Sequence, residues 1–134
     1  MRVCRFLSLA AAVLFLAVLN GAQIIKVSWS SAQDPNTPFK ALSGGKDSRW
    51  SAQGRGQWMQ MDLDGSAQVD RVEAGFQRGN RKYAFQIQVS GDGKKWQTIL
   101  DTKSSGKGDG VATYATEIGN GRFLRFISLG NNEN

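Results

Sequence analysis

The stretch FQIQVSGDGKKWQTI, residues 85–99, decides the fold. Phe85, Ile87 and Val89 alternate with Gln86, Gln88 and Ser90. This is the period of a strand with one face on a core and the other in water. Gly-Asp-Gly-Lys-Lys then interrupts, and Trp96 opens a second strand-like run. The interruption predicts a hairpin, with Gly91 and Gly93 both supplying positive φ and Asp92 tolerating the turn geometry. Trp96, directly after the turn, is expected to pack in the core and hold the register.

The same pattern repeats outward from this hairpin. IIKVSWS (24–30) places Ile25, Val27 and Trp29 on one face. QWMQMDL (57–63) sets Met59, Met61 and Leu63 against Trp58, Gln60 and Asp62. VDRVEAGF (69–76) groups Val72, Ala74 and Phe76, and VATYATEI (111–118) groups Ala112, Tyr114, Thr116 and Ile118. RFLRFISL (122–129) is apolar on both faces, which marks a central strand. Residues 31–48 form a long loop holding both prolines, and KSSGKGDG (103–110) reads as a flexible loop. After residue 22 no segment sustains a helical apolar period, and there is no internal repeat. A single sheet would leave an apolar face in water, so two antiparallel sheets packed face to face are expected.

With 134 residues the chain supports one sizeable core. Its first 22 residues have the layout of a secretory signal: basic MRVCR, an apolar run over 6–19, and the small residues Gly21 and Ala22 for cleavage. The run is short for the roughly 20 residues of a membrane span. Cys4 lies ahead of the run and is not placed as a lipoprotein acceptor. Residues 23–134 would then be a secreted or periplasmic domain without Cys or His, with 15 basic and 11 acidic residues and a net charge of +4. It must hold together without disulfides. The positive balance favours anionic partners such as acidic polysaccharide or lipid head groups. No block of lysine or arginine resembles a nucleic-acid tail, and no nucleic-acid partner is expected.

Four ordered blocks resemble a known family. SRWSAQGRGQWMQMDLDGSAQVDRVEAGF (48–76), FQRGNR (76–81), FQIQVSGDGKKW (85–96) and GRFLRFISLGNNEN (121–134) are similar to the discoidin domain, also called the coagulation factor five/eight type C domain. Its bacterial members include the family 32 carbohydrate-binding modules, and FQRGNR most resembles modules attached to polysaccharide lyases, alginate lyases among them. The resemblance covers about residues 27–134. It implies a galactose-binding-domain-like jelly-roll β-sandwich, and it places Trp50, Trp58 and Trp96 in the core.

The sequence departs from the family pattern twice. Many members bind a structural calcium through an Asp where this chain has Ser43. Asp47 is the remaining acidic candidate, but Lys46 beside it opposes a cation. Calcium needs six to eight oxygens, charged ones among them, so neither calcium nor any other cofactor is expected. Members also continue past the final GN-x-x-N into a tryptophan and a last strand, whereas this sequence stops at Asn134. Either the sequence is a fragment or the domain lacks its closing strand, and without that strand an unpaired edge is expected.

In sugar-binding members of the family the ligand lies on loops at one end of the sandwich. Here those are residues 34–39, 78–82, 103–110 and 130–134. Arg78 and Arg81 in RGNRK can clamp a carboxylate or vicinal hydroxyls, and Asn80 can donate to and accept from sugar hydroxyls. Lys82 receives no role. Phe39 is the preferred stacking platform, since Trp29 shares a face with Val27 and reads as core, with Tyr83 a third candidate. Without His the galactose-type pocket of some members cannot form. Absence of His and of Cys beyond the leader removes the common catalytic triads and most zinc sites. Asp62, Asp64, Asp70, Asp92, Asp109 and Glu117 show no catalytic spacing. The expectation is a non-catalytic carbohydrate-binding module, suited to an acidic polysaccharide such as alginate and carried within a longer parent beside a lyase or other glycan-active domain. The alternative is a cell-adhesion domain binding lipid or protein, as in eukaryotic relatives. The disulfide and apolar loop spikes those usually carry are not visible here.

Overall fold

The computed structural model describes residues 9–18, 24–30, 32, 50–53, 55–76, 82–102, 106–107 and 111–131. Their regular structure is entirely β: β1 Leu9–Val18, β2 Lys26–Trp29, β3 Trp50–Gln53, β4 Gln57–Phe76, β5 Lys82–Ser90, β6 Gln97–Asp101, β7 Gly106–Lys107 and β8 Val111–Asn131. All pairings are antiparallel. The order is β3-β1-β4-β8-β5-β6, with β2 on β4 and β7 on β5.

Strands β4 and β8 organise the sandwich because each runs through both layers. The first half of β4 pairs with the second half of β8, Trp58 opposite Ile127 and Met61 opposite Leu124. The second half of β4 pairs with the first half of β8, Val72 opposite Tyr114 and Ala74 opposite Ala112. The register shifts between Asp62 and Ala67 and again between Val69 and Arg71, and such irregularities bend a strand. Asp64 (φ 57°) and Gly65 (φ 107°) make the first bend, helped by the Asp64 amide, which donates to Asp62 Oδ1 at 3.0 Å. On β8 the crossover needs bare backbone. A Cβ on Gly119 would lie 2.8 Å from Ile99 and Val89 methyls, and one on Gly121 would lie 2.7 Å from the Ser90 carbonyl oxygen.

The folded-over sheet encloses one core. Met59, Met61, Phe85, Ile87, Val89, Ile99, Leu124 and Phe126 come from one layer, and Trp50, Val69, Val72 and Ala74 from the other. Trp50 meets Phe126 edge-on at 6.1 Å, and Tyr114 meets Phe85 edge-on at 5.1 Å. The expected alternation holds for Met59, Met61 and Leu63 against Trp58 and Gln60 and for Phe85, Ile87 and Val89 against Gln86 and Gln88, whereas Asp62 and Ser90, expected to face water, are buried; β8 is central as its sequence implies.

Four expectations are corrected. Trp58 and Trp96 are half-buried rather than core, because both lie on the outer face, where Arg125 stacks between them. In the 91–95 turn only Gly93 has positive φ (77°). Asp92 does the rest, Oδ1 accepting from the amides of Lys94 (2.8 Å) and Lys95 (2.9 Å). Ile25 and Ile118 are exposed, Ile25 lying just ahead of β2 and Ile118 lying where β8 crosses between layers. Residues 106–107 are not free loop but the short strand β7.

The apolar run read as part of a leader supplies β1 in the whole chain, with Val13 opposite Trp50 and Leu16 opposite Ala74. Among the described residues no helix is long and apolar enough to cross a membrane.

Candidate functional site

One end of the sandwich is built to carry long connecting segments. The start of β4, the end of β8, the start of β5 and the end of β6 meet there: Gln57 is opposite Ser128, Ser128 opposite Phe85, and Gln86 opposite Asp101. Residues 77–81 join Phe76 to Lys82, residues 103–105 lead from Thr102 to β7, and residue 132 follows Asn131, which is opposite Tyr83. Among the described residues, the far end carries the tight turns at Asp64–Gly65 and at residues 91–95.

The anchors of these segments are rigid for identifiable reasons. Buried Thr102 closes a small ring with Phe85: its amide donates to the Phe85 carbonyl at 3.0 Å, and its Oγ1 accepts from the Phe85 amide at 3.0 Å. Residue 103 therefore leaves from a fixed point. Gly130, at φ 98°, sits where the β5–β8 register shifts, a bulge that re-aims the chain end beside Tyr83. Its amide donates to Ser128 Oγ at 3.3 Å. At the exit from β2, Ser30 Oγ accepts from the Trp58 amide at 2.8 Å and donates to Gln57 Oε1 at 2.8 Å.

The end of β7 brings charge to this place. Lys82 is directly opposite Lys107, and Tyr83 opposite Gly106. The RGNRK segment thus ends on a strand whose neighbour carries another lysine. Sequence reasoning gave Lys82 no role and treated Lys107 as loop. Pairing of two residues across some twenty-five positions leaves no periodic signal in so short a strand, so nothing local could have revealed it.

Of the residues singled out from sequence, Arg78, Asn80, Arg81, Phe39 and Asp47 lie outside the described residues. The register does bring the two ends of the segment holding Arg78, Asn80 and Arg81 to the same end of the sandwich as β7. Trp29 is partly buried and packs against the core, and Tyr83, at 2% exposed, offers no open ring face for stacking. Among the described residues no group of three acidic or sulfur ligands could hold a metal.

The remaining polar clusters serve the scaffold. Asp62 receives two hydrogen bonds from Arg122, at 2.8 and 3.0 Å. That guanidinium holds the Asp62 carboxyl below the usual range, with the Asp64 amide adding to the effect. Asp92 is held below its ordinary value chiefly by the Lys95 amide, then by that of Lys94. Arg125 stacks 4.5 Å from the Trp58 ring and 4.1 Å from the Trp96 ring and donates to Gln60 Oε1 at 2.8 Å. Burial between the indoles pushes its pKa down.

These features define a jelly-roll β-sandwich whose candidate site is a set of segments gathered at one end. The model of the F5/8 type C domain matches residues 25–134, and the chain belongs to that family. It is similar to the CBM32 of AlyQ in complex with 4,5-unsaturated mannuronic acid, at 29% identity over 84% of this chain and 88% of that one, with a TM-score of 0.76. A truncated AlyQ with CBM32 and alginate lyase domains is 28% identical over 89% of this chain, TM-score 0.76, and the match spans 30% of that two-domain chain. A pectin-binding carbohydrate-binding module shares the fold at 24% identity and a TM-score of 0.71, over 84% of each chain. A comparison with curated proteins finds no match. These three solved structures are or contain carbohydrate-binding modules, and one of them is joined to an alginate lyase domain.

Proposed function

We propose that residues 23–134 form an extracytoplasmic, non-catalytic carbohydrate-binding module for an acidic polysaccharide of the alginate type, exported by a leader over residues 1–22. The observation that carries this reading is the likeness across nearly the whole module to the CBM32 of AlyQ, solved with an unsaturated mannuronic acid. The basic RGNRK segment, rooted at the loop-bearing end, supplies a matching charge. Arg78 and Arg81 would meet a uronate carboxylate by charge-assisted hydrogen bonds, and Asn80 and Phe39 would meet hydroxyls and a pyranose face. The module would raise the local concentration of an attached glycan-active domain on its polymer.

Affinity electrophoresis in alginate, with a neutral galactan alongside, tests this. Arg78→Ala with Arg81→Ala should weaken retardation by about tenfold, roughly 1.4 kcal/mol. Lys94→Ala with Lys95→Ala removes the same charge from the far hairpin and should leave it nearly unchanged. Equal losses from both pairs would reduce the interaction to diffuse attraction. Retardation by the galactan alone would exclude an acidic ligand.

A further inference from the structure

We infer that residues 9–18 form a latch in the uncleaved chain: as strand β1 they are withheld from the export machinery, so folding and leader removal exclude each other. The inference rests on the leader in the reading above and adds to it what the folded domain does with that leader.

Strand β1 has a central place in its layer. The order there is β3-β1-β4-β8, so β3 joins the sheet through β1. Val13 is opposite Trp50 of β3, a fully buried core residue. Leu16 and Val18 are opposite Ala74 and Val72 of β4, both fully buried. The stretch of β4 over residues 72–75 is paired with β1 along one edge and with β8 along the other. A strand in such a place reads as a continuous apolar run, and LAAAVLFLAV carries no charged residue.

The same ten residues meet a second demand. Following basic MRVCR, they make up most of the apolar run of a leader. The two roles need the same composition and opposite states. A leader must be unpaired to enter the export machinery, whereas β1 is paired with β3 and β4. Freeing it breaks those ladders and uncovers the edge of β4, so release requires at least local unfolding of the layer. The order of synthesis sets when the choice falls. Residues 9–18 emerge first, and their partners lie at 50–53 and 72–76. Until those are made the leader is open to export. A chain that folds first buries its own leader and stays a precursor. A chain cleaved first has lost residues 9–18 and cannot form the latch.

Two measurements on the full chain test this. Hydrogen exchange of the folded protein should be slowed at alternate amides of residues 13–18, by about 100-fold or more against the free-peptide rate. Free-peptide exchange throughout 9–18 would overturn the inference. Signal peptidase in phosphatidylethanolamine–phosphatidylglycerol vesicles should cleave the folded chain at least about tenfold more slowly than the same chain diluted from urea. Equal rates would overturn it as well. Gly121→Ala supplies a chain that cannot latch, since the added Cβ would lie 2.7 Å from the Ser90 carbonyl oxygen. Without urea it should be cleaved as fast as urea-diluted wild type. If exchange shows this variant open over 9–18 yet it is cleaved as slowly as folded wild type, pairing is not what protects the leader and the inference falls. If no chain is cleaved even from urea, residues 1–22 are no leader, and that part of the reading above fails together with the latch. Retardation of the same chain in alginate reports on the module reading separately.

Discussion

On the inner face of the layer formed by β4, β8 and β5, Met59, Phe126 and Ile87 share one rung and are fully buried. One residue along, on the outer face, the rung is Gln60, Arg125 and Gln88, continuing to Thr98 of β6. The two faces use their aromatics differently. Trp50 reaches the inner face from β3, where it is fully buried in the apolar core and meets Phe126 edge-on. Trp58 and Trp96 stand on the outer face and enclose a guanidinium. A tryptophan's identity therefore says little about its role. Which face of the pleat it occupies, and whether the opposite layer covers that face, decides it.

The largest test of this contrast is Trp50→Ala, which should cost about 3–5 kcal/mol in chemical denaturation because a fully buried site is emptied. Trp58→Ala or Trp96→Ala should cost roughly 1–2 kcal/mol, since solvent can enter and mainly a cation–π contact is lost. Equal costs at Trp50 and Trp96 would erase the distinction between the faces. Arg125→Lys is a finer probe. An ammonium cannot stack as a plane between two indoles, so about 0.5–1 kcal/mol should be lost, with tryptophan fluorescence shifting to the red. An unchanged spectrum would show that the indoles do not depend on the guanidinium.

The smallest effect concerns pH on the same outer face. Asp62 has its folded pKa lowered, first by the Arg122 hydrogen bonds. Its contribution is fully present above the unfolded carboxylate value of 3.8 and is lost as pH falls through the lower folded value. The urea midpoint should therefore hold from pH 7 to about 5 and then drop. Asp62→Asn should remove part of that acid loss, and Asp92→Asn a further part. If Asp62→Asn unfolds along the wild-type acid limb, the pair with Arg122 contributes nothing to stability.

The fold was legible in sequence because a strand on a core leaves a period of two. Met59, Met61, Phe85, Ile87 and Val89 announced the inner face without help. The outer face was harder to assign, since large aromatics there look the same as core aromatics until the partner layer is known. Arg125 carries no local sign that it separates Trp58 from Trp96, two residues 38 positions apart in sequence. Ile118 was misplaced because β8 changes layers near it, and a uniform alternation cannot show such a bend. For the candidate site, sequence offers basic residues in connecting segments, and Arg78, Asn80 and Arg81 lie outside the described residues. The pairing of Lys82 with Lys107 was not legible, because a two-residue strand is too short to have a pattern.

Because β4 and β8 each cross both layers, neither layer can form alone. Gln57 must find Ser128 and Trp58 must find Ile127 across more than half the chain. The entropy of closing such loops comes before the contacts reward it, so the chain should fold slowly for its size. Strand β8 follows every other strand in order yet lies between β4 and β5. A nascent chain short of residue 111 therefore holds β4 and β5 with unpaired edges and bare apolar faces, the state in which β-rich chains aggregate. Chaperone demand during synthesis is thus set by where the central strand falls in the chain.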